Sequence, residues 1–355
     1  MGKVSIQMKE ITEKRRVVYL DLIRIVAVYL VIFTHTGDLG SKLYEFGDYG
    51  FTRNIIYIMT DVIRRINVPL FLMVSGAVLL GREESTHDVL RKRVIKYGLV
   101  TIVMSYFYYV FHYNEDALSL KLFLIRVYQG NIIGLFWFLY AYIGYLLILP
   151  FLRKMLKNME KSDFFYFIIL GIGFKSIFPF IGMAVDVGNI AVSCCLVTDI
   201  VFYPVLGYFL HCVMTEKFSN KIYILGGFVA FSCIAVVTAM TFWDGRSGEY
   251  SERYYDTFNV IPTIYAFMIL KRVGGMIEKS RILSRIIYWL GNCSFGVYVF
   301  SIYIQIKLIW VYRSLLGWFP GWPLICSFIY VGVVMLTGVV VVSILKLIPG
   351  IKRLL

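Results

Sequence analysis

The sequence predicts an all-α, polytopic membrane helix bundle with about ten transmembrane helices and both termini on the cytoplasmic side. Three observations carry this. Hydrophobic residues make up 59% of the chain and charged residues only 16%, against roughly 25% charged in a soluble domain. The mean hydropathy is +0.74, and the apolar residues fall in long blocks. A run of about 18 or more such residues is enough to cross the ~30 Å hydrocarbon core of a bilayer. Finally, Lys and Arg concentrate in alternate loops.

The first apolar run, 17–37, follows a basic stretch, 1–16. It holds Asp21 and Arg24 and lacks a small-residue cleavage site, so it is expected to be a retained span and not a cleaved leader. Nine further runs follow at 58–80, 94–113, 132–152, 164–184, 191–213, 222–243, 257–275, 286–311 and 324–347. A shorter amphipathic stretch, 118–128, suits the membrane interface. Loops assigned to the cytoplasm hold 24 Lys and Arg, and those assigned to the outer side hold seven, among them Arg246 and Arg253. That asymmetry orients the bundle. Six tryptophans near the ends of these runs fit an aromatic belt. The chain divides into a tail, 1–16, one transmembrane domain, 17–350, and a second tail, 351–355.

The net charge of +14 does not point to nucleic acid, because the cations sit in short loops between apolar blocks and not on a soluble basic face. The six cysteines lie within apolar runs and form no C-x-x-C pattern with nearby histidines. Neither a metal site nor a disulfide framework is expected.

Ionisable residues inside spans are costly and mark candidate sites. Arg24 and His35 are eleven positions apart in the first run. At about 100° per residue they share one helix face, separated by ~16 Å along the axis. Asp21, one turn before Arg24, is placed to pair with it. In the second run Arg64, Arg65 and Asn67 fall at a depth similar to that of His35, so all four fit one polar site. Arg64 and Arg65 equally fit an interface where they snorkel or pair with Asp61. Arg91, Lys92, Arg93 and Lys96 suit phosphate groups, and ordinary topology-determining charge explains them as well. Lys175, Asp199 and Lys307 are further embedded charges, with Asp199 available to pair with either lysine. Tyr106, Tyr108, Tyr109 and His112 suit belt anchoring.

Several of these stretches resemble the acyltransferase-3 family of integral membrane acyltransferases, most closely its surface-polysaccharide O-acyltransferase branch. They are the R-x10-H spacing from Arg24 to His35, Asn67-Val-Pro-Leu-Phe-Leu-Met-Val-Ser-Gly76, Leu90-Arg-Lys-Arg-Val-Ile-Lys96, Leu135-Phe-Trp-Phe-Leu-Tyr140 with Pro150, and Ser294-Phe-Gly-Val-Tyr298. The resemblance implies transfer of an acyl group from cytoplasmic acyl-CoA, usually acetyl-CoA, to a hydroxyl of a surface glycan or lipid-linked sugar outside a bacterial plasma membrane. His35 is then the general base, Asn67 its orienting partner and Arg65 a stabiliser of the developing oxyanion. Arg24, Arg64, Arg93 and Lys96 are donor contacts. The chain departs from the family pattern at Asn67, where many members have Asp, and at Leu135 and Ser301, where many have His. Those departures leave a rival class in play, a transporter of polysaccharide or of a small polar solute, which also needs a polar cavity inside the membrane.

Overall fold

The computed structural model of the chain describes residues 16–47, 49–112, 119–185, 192, 194–214, 218–243 and 258–354. The stretch before Arg16, Leu118, Arg246, Arg253 and the side chain of His112 lie outside the described part. Helices follow one another in the order α1 (Val18–Thr34), α2 (Phe51–Arg64), α3 (Asn67–Leu79), α4 (Thr86–Phe111), α5 (Leu120–Gln129), α6 (Trp137–Lys157), α7 (Lys161–Gly182), α8 (Asp199–Val213), α9 (Asn220–Trp243), α10 (Val260–Ile277), α11 (Arg281–Lys307), α12 (Ile309–Trp318), α13 (Pro323–Leu345) and α14 (Pro349–Leu354). Among the described residues there is no strand. The protein is an all-helical membrane protein; among the described residues eight segments, α2 and α3 counted together as one, are long and apolar enough to cross a bilayer. Each of the ten predicted runs carries helix; α1 and α8 are the two shorter ones.

The second run is two helices, not one. Pro69 has no N–H to give the Arg65 carbonyl four residues earlier, and its ring crowds that carbonyl, so an unbroken helix is disfavoured there. The chain turns at 65–66 and restarts at Asn67. The Arg65 carbonyl is satisfied from elsewhere: the Asn259 side-chain amide, at the head of α10, donates to it at 2.9 Å.

Helix α1 is the axis of the bundle. Its residues Tyr19, Leu20, Ile23 and Ala27 join one apolar core with α3, α6, α8 and α10. Its other half, Val28, Val31, Ile32 and Phe33, joins a second core with α2, α4, α11 and α13. Between membrane helices the driving force is close packing and hydrogen bonding, since lipid tails are as apolar as leucine. The tightest instance is the crossing of α3 and α8. A Cβ on Gly76 would stand 1.8 Å from the Pro204 carbonyl oxygen, and one on Gly207 would stand 2.0 Å from that of Met73. The two backbones touch with no side-chain layer between them. The six tryptophans, at 137, 243, 289, 310, 318 and 322, are all exposed on the outside of the bundle, where an aromatic belt requires them.

Candidate active site

Helix α1 presents a different chemistry at each end. Arg24 lies on the side of the first core, and its Nη1 donates to Asp21 Oδ1 at 2.7 Å. Asp21 is fully buried and also takes an ion pair from Arg16. Gly291 of α11 lets that helix come close, because any Cβ there would lie 2.6 Å from the Asp21 Cβ. The carboxylate is thus held by two arginines inside a packed helix contact.

Around this end gathers a set of cations from four segments. Arg93 of α4 donates to Glu84 through Nε at 3.0 Å and Nη2 at 2.6 Å. Arg153 of α6 donates to the same carboxylate at 3.0 Å and to the Leu79 carbonyl at 2.7 and 3.0 Å. Arg82 is exposed and lies within electrostatic reach of Arg93, Glu84, Arg153 and Arg24. Lys96 feels Lys346 and Arg93, and Lys346 in turn feels Arg16. The Arg93 hydrogen bonds, with those of Arg153, hold the Glu84 carboxyl at about 2, well under its ordinary 4.5. Asp21, Glu84 and the exposed Glu83 against these seven cations leave this end positive.

The other end of α1 is built on His35, which terminates the helix: its backbone N–H reaches the Val31 and Ile32 carbonyls at 3.3 and 3.2 Å. The residue is exposed. No hydrogen bond among the described residues uses its imidazole, and Arg64 lies within its electrostatic reach. Arg64 is buried, at 3% exposure, and forms an ion pair with the fully buried Asp61. The Tyr44 hydroxyl donates to the other oxygen of Asp61 at 3.2 Å. Asn67 is buried nearby, and its amide donates to Thr34 Oγ1 at 2.8 Å. The expected contact of Asn67 with His35 is therefore displaced by one residue, onto the hydroxyl beside it. Thr34 passes its own proton to the Leu30 carbonyl at 2.8 Å. Arg65 is half-buried at the turn between α2 and α3.

Leu135 and Ser301 prove to be structural neighbours. The Leu135 carbonyl accepts the Tyr298 hydroxyl at 2.7 Å, and Ser301, one turn later and fully buried, donates to the Tyr298 carbonyl at 2.8 Å. Leu135 belongs to an apolar, tyrosine-rich core with Tyr108, Phe136 and Tyr298. Elsewhere, Asp199 pairs with Lys175, and Lys307 rests over the rings of Phe111 and Tyr303.

A family model described as an acyltransferase domain matches residues 17–344. The chain belongs to the acyltransferase-3 family. No significant match emerges from the curated proteins or from the solved structures. The match takes in α1 through nearly all of α13, so both ends of α1 lie inside the domain of this membrane acyltransferase. Reading the acyltransferase from sequence missed Glu84 and Arg153. Both look like ordinary loop charge along the chain, and only the packing of α6 against the 79–84 segment reveals the shared carboxylate. Asp61 was visible as a neighbour of Arg64, one turn earlier, but its complete burial was not.

Proposed function

We propose that this acyltransferase takes an acyl group, in the first place acetyl, from acyl-CoA at the basic end of α1 and gives it to a hydroxyl near His35. The acceptor is a surface glycan or lipid-linked sugar, and the membrane is the bacterial plasma membrane with the basic end on the cytoplasmic side. The observation that supports this most is the polarity of α1, with clustered cations at one end and an exposed imidazole, hydrogen-bonded by none of the described residues, ~16 Å away along the same helix. Polyanionic phosphates suit the first, and proton abstraction suits the second. Arg24, Arg93 and Lys96 hold the nucleotide phosphates, joined by Arg82 and Arg153. The flexible pantetheine arm spans the separation.

In the chemical step neutral His35 takes the proton of the acceptor hydroxyl as its oxygen attacks the thioester carbonyl. Arg64, fixed by Asp61, and Arg65 stabilise the negative charge that develops on that carbonyl oxygen. The C–S bond then breaks, and the proton held by His35 passes, directly or through water, to the departing thiolate, which restores the neutral imidazole. Asn67 acts through Thr34 to fix the end of α1, so it is a positioning residue.

The test is acetyl-CoA binding and slow thioester hydrolysis by purified protein in detergent. His35→Ala is expected to retain binding and lose turnover by about 10²–10⁴-fold, and Arg24→Ala to lose binding. Intact, folded protein that neither binds nor hydrolyses any acyl-CoA would overturn the donor site and favour a transporter.

A further inference from the structure

We propose that Glu84 is a displaceable anion, standing in the Arg93–Arg153 fork where a phosphate monoester of the incoming donor binds. This rests on the reading of the basic end as the acyl-CoA site. The fork is assembled from two helices, α4 and α6, whereas Glu84 belongs to neither. It sits in the irregular segment 82–85, between the end of α3 and the start of α4. Both its oxygens are used: Oε1 by Arg93, and Oε2 by Arg93 and Arg153 together. A carboxylate held sideways by one guanidinium and end-on by a second occupies the geometry in which arginines bind phosphate.

Charge favours the exchange. Arg93 and Arg153 against Glu84 leave one net positive charge and Arg16 with Arg24 against Asp21 leave another, while exposed Arg82 and Glu83 in the moving segment offset each other. A phosphate monoester dianion matches that charge better than a single carboxylate does. Arg153 keeps two hydrogen bonds to the Leu79 carbonyl when Glu84 departs, and the swing gives up only its long contact, 3.5 Å, to the Glu84 carbonyl. The pair being broken is partly open to solvent: the Glu84 side chain is 23% exposed and that of Arg93 20%. A half-solvated pair of this kind lets a phosphate take over the carboxylate's hydrogen bonds as it leaves. The segment that must move is short and ends at Ser85, whose hydroxyl caps the next turn of helix by accepting from the Asp88 N–H at 3.1 Å. That cap gives the swing a fixed end.

Two states follow, with Glu84 in the fork when no donor is bound and released into solvent when a phosphate takes its place. Self-occupancy of this sort weakens apparent affinity by the fraction of protein in the open state. Removing the carboxylate's charge therefore tightens binding. Full-length protein in detergent, with 3′,5′-ADP and CoA as probes in titration calorimetry, reads this directly. Glu84→Gln and Glu84→Ala are expected to bind both about tenfold more tightly than the parent. In the unmodified protein, saturating 3′,5′-ADP is expected to raise hydrogen exchange at the amides of 81–85, a readout that needs no variant to fold. Glu84 variants that bind no tighter, or a segment that becomes more protected on binding, overturn the displacement. If the parent binds and hydrolyses acetyl-CoA while Glu84 is without effect, displacement fails and the donor site stands. If the variants bind 3′,5′-ADP more tightly but no form hydrolyses any acyl-CoA, displacement stands and the acyl-transfer reading fails. No binding of either probe by any form overturns both.

Discussion

The two ends of α1 differ in how their charged groups are held. At the basic end two carboxylates are each shared between arginines: Asp21 between Arg16 and Arg24, Glu84 between Arg93 and Arg153. At the other end one ion pair, Asp61 with Arg64, is sealed inside protein, and the imidazole next to it bonds to nothing described. The contrast separates two ways of making a polar site in a membrane. A cluster of exchangeable pairs is suited to capturing a large polyanion, because partners can be traded without leaving a bare charge. A single locked pair beside a free base is suited to chemistry, because the lock fixes the electrostatics and the base keeps its lone pair available.

Four experiments sharpen or break this contrast. The largest effect is expected at His35. His35→Ala removes no side-chain hydrogen bond to any described residue, so thermal unfolding in detergent should be nearly unchanged while turnover falls 10²–10⁴-fold, equivalent to about 2.7–5.5 kcal/mol of barrier. A large drop in melting temperature would show the imidazole to be a structural element after all. Next is Asp61→Ala, which takes the paired carboxylate from a buried guanidinium and should cost about 3–5 kcal/mol of stability. Combining it with Arg64→Met should recover much of that loss in a double-mutant cycle. A small effect of Asp61→Ala alone would mean the pair is not locked.

Smaller is Asn259→Ala, which leaves the Arg65 carbonyl without its donor. A cost of about 1–3 kcal/mol is expected from that buried acceptor, together with reduced turnover, since the turn at 65–66 carries Arg64 and Arg65. Smallest is the acid response of the basic end. Glu84 has its carboxyl lowered in the folded protein from 4.5 to about 2, so its pairing stabilises the fold fully above about pH 4.5 and the contribution is lost as pH falls towards about 2. Unfolding followed between pH 5 and pH 2 should lose that component of its slope in Glu84→Gln.

Much of the fold was legible in the sequence because bilayer crossing is a one-dimensional constraint. Length and apolarity suffice to place helix in each of the ten runs, and the pairing of Asp21 with Arg24 follows from helical spacing alone. What escaped depends on three-dimensional detail. The second run reads as continuous in hydropathy, yet Pro69 breaks it, and the donor that makes the break tolerable comes from Asn259, almost 200 residues away. Depth counting brings Asn67 to the end of α1 but does not tell Thr34 from His35, which are a single 1.5 Å rise apart. Arg153 and Glu84 are hidden for a different reason. Loop charges that orient a membrane protein and loop charges that bind a ligand have the same composition, and only the helix pairing distinguishes them.

The backbone contact of α3 with α8 has a practical consequence. With Gly76 against Pro204 and Gly207 against Met73, the two helices have no intervening side chains to repack, so neither rotation nor sliding of one past the other is open to them. Spin or fluorescent labels placed on the outer faces of this pair should report one separation in every state of the catalytic cycle. That separation is a built-in ruler, against which any movement of α1, α10 or the 82–85 segment can be measured.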